Sequence, residues 1–503
     1  MSLRLPFPPG SLRPDSLTVA SIVAAFAIAG VSIGYIAAMG KPIPIALALG
    51  VVAGVALLNA LSVVVWAILL GVLLIGGPLF MFVPALSKAS WLFSLLGFFL
   101  AGAAILYSAI GRPRFTTPSP SFVPVAIAFC VFGALSLLYS EDTIGDGVRA
   151  IKRYYQYAGL FFVLAVVPFT AARVRHWLMF LVALATIQFP FALYQRVMLA
   201  PGLEGKPGVV PLDIVVGTME GSLQGGGASA VMALFLVAVL SYVLAAYREG
   251  LLSTSRFLLL ALIVVAPLPL GEVTLIVVIL PIALLVVYAD ALAARPLRSL
   301  LGLLIAIPAA GMIGWAYLLI NAEPGRTVEA MIDAVIAYNF GEKSYFSHGL
   351  NRTSVYTYWL QNHGLENPLA LMFGHGLGSS FGSIGEPDAG HMEMAHGRIY
   401  IGLTAASSVL WDLGVLGLTT FISIFILAAR EAGSLAGQSS PGFDRAFCRG
   451  LQATAWMLAV MPFYSNAAIS LPSQEVLTWF TLGLIAWRHR MRTPRQGEVG
   501  AAR

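Results

Sequence analysis

The run ASAVMALFLVAVLSYVLAAY, residues 228–247, holds 20 residues without one charged side chain. An α-helix rises about 1.5 Å per residue, so a run of this length matches a hydrocarbon core about 30 Å thick. Comparable runs recur along the whole chain of 503 residues, which is 59% hydrophobic and 10% charged with a mean hydropathy of +0.87. The runs are continuously apolar and do not alternate, so they predict membrane-spanning helices and not a barrel. The first of them, from about Leu17 to Met39, is too long for a signal core and lacks a clear cleavage site, which predicts no cleavable signal peptide. Cys130 and Cys448 lie in or beside different apolar segments, so they build no disulfide framework, CxxC pair or zinc site.

The pattern predicts an all-α polytopic membrane protein with about 14 transmembrane helices and one large, partly helical loop. The expected spans are 17–38, 43–61, 63–83, 90–110, 121–140, 154–170, 177–199, 228–247, 256–270, 273–289, 299–320, 400–428, 450–467 and 474–487. Membrane helices 1–11 thus fill residues 1–320, the loop takes 321–399, and helices 12–14 with a basic tail fill 400–503. The whole is expected to form one integrated domain.

The basic residues assign sides to this arrangement. With Arg4 and Arg13 in the cytoplasm, 18 of the 29 Lys and Arg residues fall in cytoplasmic connections or in the tail that starts at Arg488. That is the positive-inside pattern, with both termini cytoplasmic. It also explains the net charge of +6 by membrane orientation, without nucleic acid. The other 11 fall outside, among them Arg149, Lys152 and Arg153, then Arg196, and in the loop Arg352 and Arg398. Positive charge repeated on that side, next to apolar spans, points to an anionic ligand.

Residues 321–399 hold five of the seven histidines: His348, His363, His375, His391 and His396. Val328, Met331, Ile332, Val335 and Ile336 follow helical spacing and predict an amphipathic interfacial helix. A second helix is expected to begin at a cap on Asn351 and to carry Arg352, Tyr356, Trp359 and His363 on one face, with Pro368 ending it. The run GHGLGSSFGSIGEPDAG, residues 374–390, reads either as backbone offering N–H groups to phosphate oxygens or as a flexible surface turn. No strand precedes it, so it is no dinucleotide fingerprint. His391, Glu393 and His396 lack metal-site spacing, and no metal or other cofactor is expected. Arg149, Lys152 and Arg153 read either as snorkelling side chains or as a diphosphate site, for which the planar arginine fork is suited. Glu220 and Glu272 each lie in a short turn or at depth between apolar runs.

Four stretches in this order resemble the superfamily of O-antigen ligases and O-antigen polymerases: ALSLLYSEDTIGDGVRAIKRYYQYAGLFF, FALYQRVML, NRTSVYTYWLQNHGLENPLALMFGHGLGSSF and HGRIYIGLTAASSVLWDLGVLGL. The resemblance covers about a quarter of the chain directly. It implies a bacterial inner-membrane glycosyltransferase that acts at the periplasmic face on polyprenyl-diphosphate-linked glycans, without a metal. Arg352 then matches the family's loop arginine, His396 the loop-closing histidine that activates the acceptor, and Arg149 and Arg153 the residues that engage the carrier diphosphate. Lys152, Arg196, Tyr356, Trp359, His363 and Arg398 complete the expected substrate-binding set. The chain departs from the family's pattern in two places: Gly397 follows His396, and Gly271-Glu272-Val273 stands where a Ser-Arg-Gly step is common. The departures and the number of spans favour a polymerase of exopolysaccharide or O-antigen repeat units over a ligase. The expected partners are the carrier-linked donor, a glycan acceptor, the bilayer, a chain-length regulator and other polysaccharide-assembly proteins. A multispan transporter or lipid-linked-glycan flippase is the alternative from another class; the lack of an internal repeat counts against it.

Overall fold

A computed structural model describes residues 54, 57–83, 90–111, 118–203, 211–220, 227–271, 274–294, 311–312, 314–316, 319, 327–340, 349–364, 366–382 and 389–492. The structure is 79% helical, with no strand among the described residues. Two compact units divide the chain, 1–67 and 68–503. In the first, the described residues are 54 and 57–67, which lead into a helix. His348, Glu272, Lys206, the expected span 17–38 and residues 299–310 of the expected span 299–320 lie outside the described residues.

The helices in chain order are α1 (Leu61–Leu70), α2 (Gly77–Phe82), α3 (Ser90–Gly111), α4 (Phe122–Ser136), α5 (Ile144–Tyr155), α6 (Ala158–Val166) and α7 (Ala171–Tyr194). Next come α8 (Ala228–Arg248), α9 (Thr254–Val265), α10 (Ile276–Ala294), α11 (Val328–Phe340), α12 (Ser354–Asn362), α13 (Pro368–Phe373) and α14 (His391–Ala395). The chain closes with α15 (Ala405–Gln438), α16 (Phe443–Tyr464), α17 (Ala467–Ser470) and α18 (Pro472–Arg490). Among the described residues five helical stretches are long and apolar enough to cross a membrane: Leu61–Leu79, Ser90–Ile110, Ala171–Leu203, Ala228–Arg248 and Ala405–Gln438. The run that opened the sequence reading is the most enclosed of them, with 89% of its apolar window buried. Within the second unit α15 packs on α16 and α4, α8 on α16, and α18 on α6.

Residues 154–170, expected as one span, do not form one helix. The chain leaves helical geometry at Tyr157 (φ −114°, ψ 8°), and the helix that follows, α6, has 9 residues. Side-chain bonds fix the break. Gln156 accepts from Ser94 Oγ at 2.7 Å and donates to Glu475 Oε1 at 2.6 Å.

Residues 214–219 are irregular, and Ile214, Val215, Val216, Thr218 and Met219 are all buried. Backbone polar groups so placed need partners. Two glutamines of the preceding helix supply them. Gln195 Oε1 accepts from Val216 N and Gly217 N at 2.9 and 2.8 Å, while Gln188 Oε1 accepts from Thr218 N at 2.8 Å. Gln195 lies in a π-helical turn, Gln195–Leu199, that extends α7.

The close approach of α3 to α6 depends on glycine. A Cβ at Gly97 would collide with the Gln156 carbonyl, whereas a Cβ at Gly102, on the same helix, meets nothing within 4 Å. Backbone cannot yield as a side chain can, so overpacking here costs about 1–3 kcal/mol. Gly97→Ala is expected to lower the thermal unfolding midpoint of the purified protein, and Gly102→Ala to leave it unchanged or raise it slightly.

Candidate active site

The site is built on an interruption of α15. Gly414 adopts φ 66° and ψ −167°, which breaks the helix about two and a half turns inside its start. The break frees the carbonyls of Trp411 and Asp412, and these accept from His375 N and Gly376 N, both at 2.9 Å. The Asp412 side chain takes the same glycine turn from the other direction. Its Oδ2 accepts from Tyr154 Oη at 2.7 Å and Gly378 N at 2.9 Å, and its Oδ1 from Ser379 Oγ at 3.0 Å and Ser380 N at 2.8 Å. Asp412 is 1% exposed, so these four bonds are what makes its burial tolerable.

The other N–H groups between His375 and Phe381 are also committed. Leu377 N donates to Ser136 Oγ, Ser379 N to Gly376 O and Phe381 N to Gly378 O. Residues 374–381 are therefore neither a flexible surface loop nor a nest of N–H groups aimed at a phosphate. Their glycines serve close packing. Gly374, Gly376 and Gly378 have φ of 73°, 101° and 94°, and a Cβ on them would strike Asp412, Ser140 and Ala150 respectively.

Four histidines gather around this anchor, with Trp411 in their midst. The Trp411 ring centroid lies 4.6 Å from that of His363, 4.9 Å from His396 and 6.1 Å from His375, and His391 lies 6.4 Å from His375. His363 stacks on Trp359 at 4.9 Å and 14°. Its Nδ1 is 3.0 Å from the Trp359 carbonyl, which can only accept, so Nδ1 carries the hydrogen. A neutral His363 then accepts at Nε2, and His375 donates to it from Nε2 at 2.9 Å. His396 Nδ1 is bonded to Tyr358 Oη at 2.8 Å.

His391 differs from the other three. Its Nδ1 lies 3.0 Å from Asp142 Oδ2, and its backbone N–H donates to Asp142 Oδ1 at 3.1 Å. The backbone bond and the close contact of Nδ1 hold the ring beside the carboxylate. The Asp142 carboxylate, as acceptor beside the ring, raises the His391 pKa above the ordinary imidazole value. Burial alone lowers that of His396. Burial, then the fields of the other three histidines, brings His375 down to about 4. Burial also lowers His363. The cluster accordingly holds one imidazole tuned to bind a proton among three tuned to stay neutral.

The short helix α14 carries His391 and Glu393 into place. Glu393 is buried and accepts from Tyr400 N at 2.7 Å and Ile401 N at 2.9 Å. That clamp holds two non-glycine residues, Arg398 and Tyr400, at φ of 60° and 63°, a left-handed geometry costly to side chains with a Cβ.

Helix α12 positions the rest. Asn351 caps it as expected, its Oδ1 accepting from Thr353 N at 2.9 Å and Ser354 N at 2.7 Å. Arg352 therefore precedes the helix and is not on its face. Its Nε donates to the Tyr464 carbonyl at 2.8 Å, one terminal nitrogen donates to Asn339 Oδ1 at 2.7 Å, and the guanidinium lies 3.9 Å over the Tyr464 ring. Tyr356 Oη bonds Thr404 Oγ1 at 2.8 Å. Trp359 packs in a cluster with Ile401, Leu410 and Trp411, which docks the loop on α15. Pro368 opens α13 at its first turn and does not end the preceding helix, which stops at Asn362.

The cations of α5 separate. Arg149 pairs with Asp146 one turn earlier on the exposed side of α5. Arg153 lies 4.0 Å over the ring of Phe381, at the end of the glycine turn. Lys152 lies 4.1 Å over Trp91 and feels Glu220 and Glu475, away from the histidines. Arg196 sits elsewhere, in the π-turn beside Gln195. Of the residues singled out from sequence, His363, His396, Tyr356, Trp359, Arg153 and Arg398 thus border this site. Asp142, Trp411 and Asp412 were missed. Asp142 stands in SED before a helix and reads as a cap, while Asp412 is one charge at the start of an apolar run, a placement that signals function by default.

The chain matches no protein-family model and no curated protein.

Two outcomes follow from this geometry. Asp412→Asn turns its amide nitrogen towards Gly378 N or Ser380 N, neither of which can accept, and so orphans one backbone donor at about 1–3 kcal/mol. Asp412→Ala orphans all four donors and is expected to cost more. Thermal unfolding and protease nicking between 376 and 391 measure both. The pH dependence has a definite sign. In the unfolded chain every histidine titrates near about 6.5. His363, His375 and His396, lowered on folding, refuse protons that the unfolded chain accepts, so stability falls as pH drops below that value. His391, raised, contributes fully below it and loses its contribution as pH rises through its folded value. The unfolding midpoint is expected to drop between pH 7 and 5, and to drop less in His375→Gln.

Proposed function

We propose that this protein is an inner-membrane glycosyltransferase that polymerises polyprenyl-diphosphate-linked repeat units at the periplasmic face, in one inverting step and without a metal. The observation that carries this reading is the Asp142–His391 pair, an imidazole held by a carboxylate, with the Arg153 cation over Phe381 of the glycine turn. In the proposed step the acceptor hydroxyl loses its proton to His391 Nε2 as its oxygen attacks the anomeric carbon. The bond from that carbon to the diphosphate oxygen breaks, and the leaving group keeps the electron pair. Asp142 stabilises the imidazolium that forms, as a carboxylate partner does for a general base. Arg153 supplies positive charge to the departing diphosphate, while Arg352, held by Tyr464 and Asn339, and Arg149, paired with Asp146, add to the positive field from further off. His396, the base expected from sequence, borders the same cluster through Tyr358 and Trp411 and aligns the acceptor. Tyr356, Trp359, His363 and Arg398 frame it, and Lys152 and Arg196 lie further off.

A double displacement needs a free carboxylate as nucleophile. Asp142, Glu393 and Asp412 are each bonded to protein groups, which favours direct displacement. The N–H groups of residues 374–381 are spent internally, which favours arginine side chains as the partners of the diphosphate.

Purified protein supplied with carrier-linked repeat units is expected to give a ladder of lengthening products. One transfer to a lipid acceptor would instead mean a ligase, and movement across liposomes without bond formation a transporter or flippase. His391→Ala is expected to lower turnover by at least about a hundredfold, within the range of general-base losses. Asp142→Asn is expected to move the acidic limb of the pH–rate profile to lower pH, because it removes the charge that raises His391. Full activity in His391→Ala with loss in His396→Ala would return the base to His396.

A further inference from the structure

A second polar centre lies around Lys152 of α5. Lys152 and Glu220 feel one another, and Lys152 also feels Glu475. Glu220 closes the buried segment 214–219 described above. Glu475 is fully buried in the first turn of α18, and one of its oxygens, Oε1, is held by Gln156, itself held by Ser94. The other oxygen, Oε2, is buried with no hydrogen-bond partner, and so is the hydroxyl of Tyr157. Tyr157 lies in the fields of both Glu475 and Glu220 and within reach of Ser94. A buried carboxylate oxygen and a buried phenol left unpaired cost about 1–3 kcal/mol each, more for the charge, unless something else meets them.

The chemistry of the centre restricts what that is. An anion faces two carboxylates, Glu220 and Glu475. A metal cation faces the Lys152 ammonium and leaves it without a partner. A neutral polyhydroxylated ligand suits both signs, since each of its hydroxyls can donate to Glu475 Oε2 and accept from Tyr157 or Lys152. The exposed side of the centre supports the same class. Trp91 is 45% exposed, one helical turn before Ser94 on α3, and presents its ring beside Lys152. An aromatic face next to carboxylate, amine and phenol groups matches the apolar C–H face and the hydroxyl edge of a pyranose.

We propose that Trp91, Lys152, Tyr157, Glu220 and Glu475 form a binding site for one uncharged sugar residue of a glycan. The ring rests on the exposed Trp91, and a single hydroxyl reaches inward towards Tyr157 and Glu475. Resting on the glycosyl-transfer reading, this centre holds the acceptor chain while the histidine cluster works on its end.

The test is equilibrium binding of a panel of methyl glycosides (glucose, galactose, mannose, rhamnose and N-acetylglucosamine) to the full-length protein in nanodiscs, followed by saturation-transfer NMR. At least one sugar is expected to bind, and Trp91→Ala, Tyr157→Phe and Glu475→Gln each to weaken it by roughly five- to a hundredfold. Tyr157→Phe keeps the shape of the side chain, so it separates a lost bond from a lost fold. His391→Ala is expected to bind as wild type does. Binding of no sugar, equal binding by Tyr157→Phe and wild type, or preferential binding of inorganic diphosphate at these residues each overturns the proposal. Sugar binding without polymer formation would leave this site standing and remove the polymerase reading. Polymer formation without sugar binding would do the reverse.

Discussion

A single buried carboxylate organises the described end of this bundle. Asp412 sits where α15 is broken, and its two oxygens are shared among α5, through Tyr154, and the glycine turn, through Gly378, Ser379 and Ser380. A carboxylate out of water without partners costs several kcal/mol, so none of these bonds is optional. The break at Gly414 and the charge at Asp412 depend on one another. The break exposes two carbonyls that the turn must meet, and the turn brings the N–H groups that the carboxylate needs. Three segments far apart in sequence are thereby set in one arrangement before any ligand is considered.

That arrangement governs the electrostatics around it. His375 enters the turn with its backbone bonded to Trp411, and this places its ring against His363 in surroundings that keep both neutral. His391 leaves α14's start towards Asp142, on the segment that leads into α5, and is charged more readily. Like charges would repel if all four rings took protons together. Concentrating the one favourable carboxylate on one ring lets a single site in the cluster exchange a proton while its neighbours stay acceptors or donors of fixed tautomer.

How much of this was readable beforehand follows from the range of the forces involved. The apolar runs at 90–110 and 228–247 were legible because length and hydropathy are local properties, and α3 and α8 occupy them closely. The helix at 328–340 and the Asn351 cap were legible for the same reason. The break after Tyr155 was not, because it is set by Ser94 and Glu475, 62 and 319 residues from Gln156. Pro368 was misread because proline is equally at home after one helix and at the head of the next. The histidines could be counted but not ranked: nothing near His391 in sequence announces Asp142, 249 residues away. The glycine run advertised freedom of backbone, and only the folded state reveals that the freedom is used for packing.

Helix α5 explains how one short segment serves two polar centres. Successive residues of an α-helix point about 100° apart. Lys152 and Arg153 therefore leave α5 in different directions, one to Trp91 and the Glu475 side, the other to Phe381 and the glycine turn. Tyr154, Gln156 and Tyr157 repeat the division, with Tyr154 bonded to Asp412 and Gln156 to Glu475. The capping box of Thr143 and Asp146 fixes the helix start just after Asp142. A shift of α5 by a fraction of a turn would move the Asp142 partner, the Asp412 donor and the Glu475 donor at once. The two centres are consequently coupled by geometry, since no residue of α5 can be re-registered for one without being lost to the other.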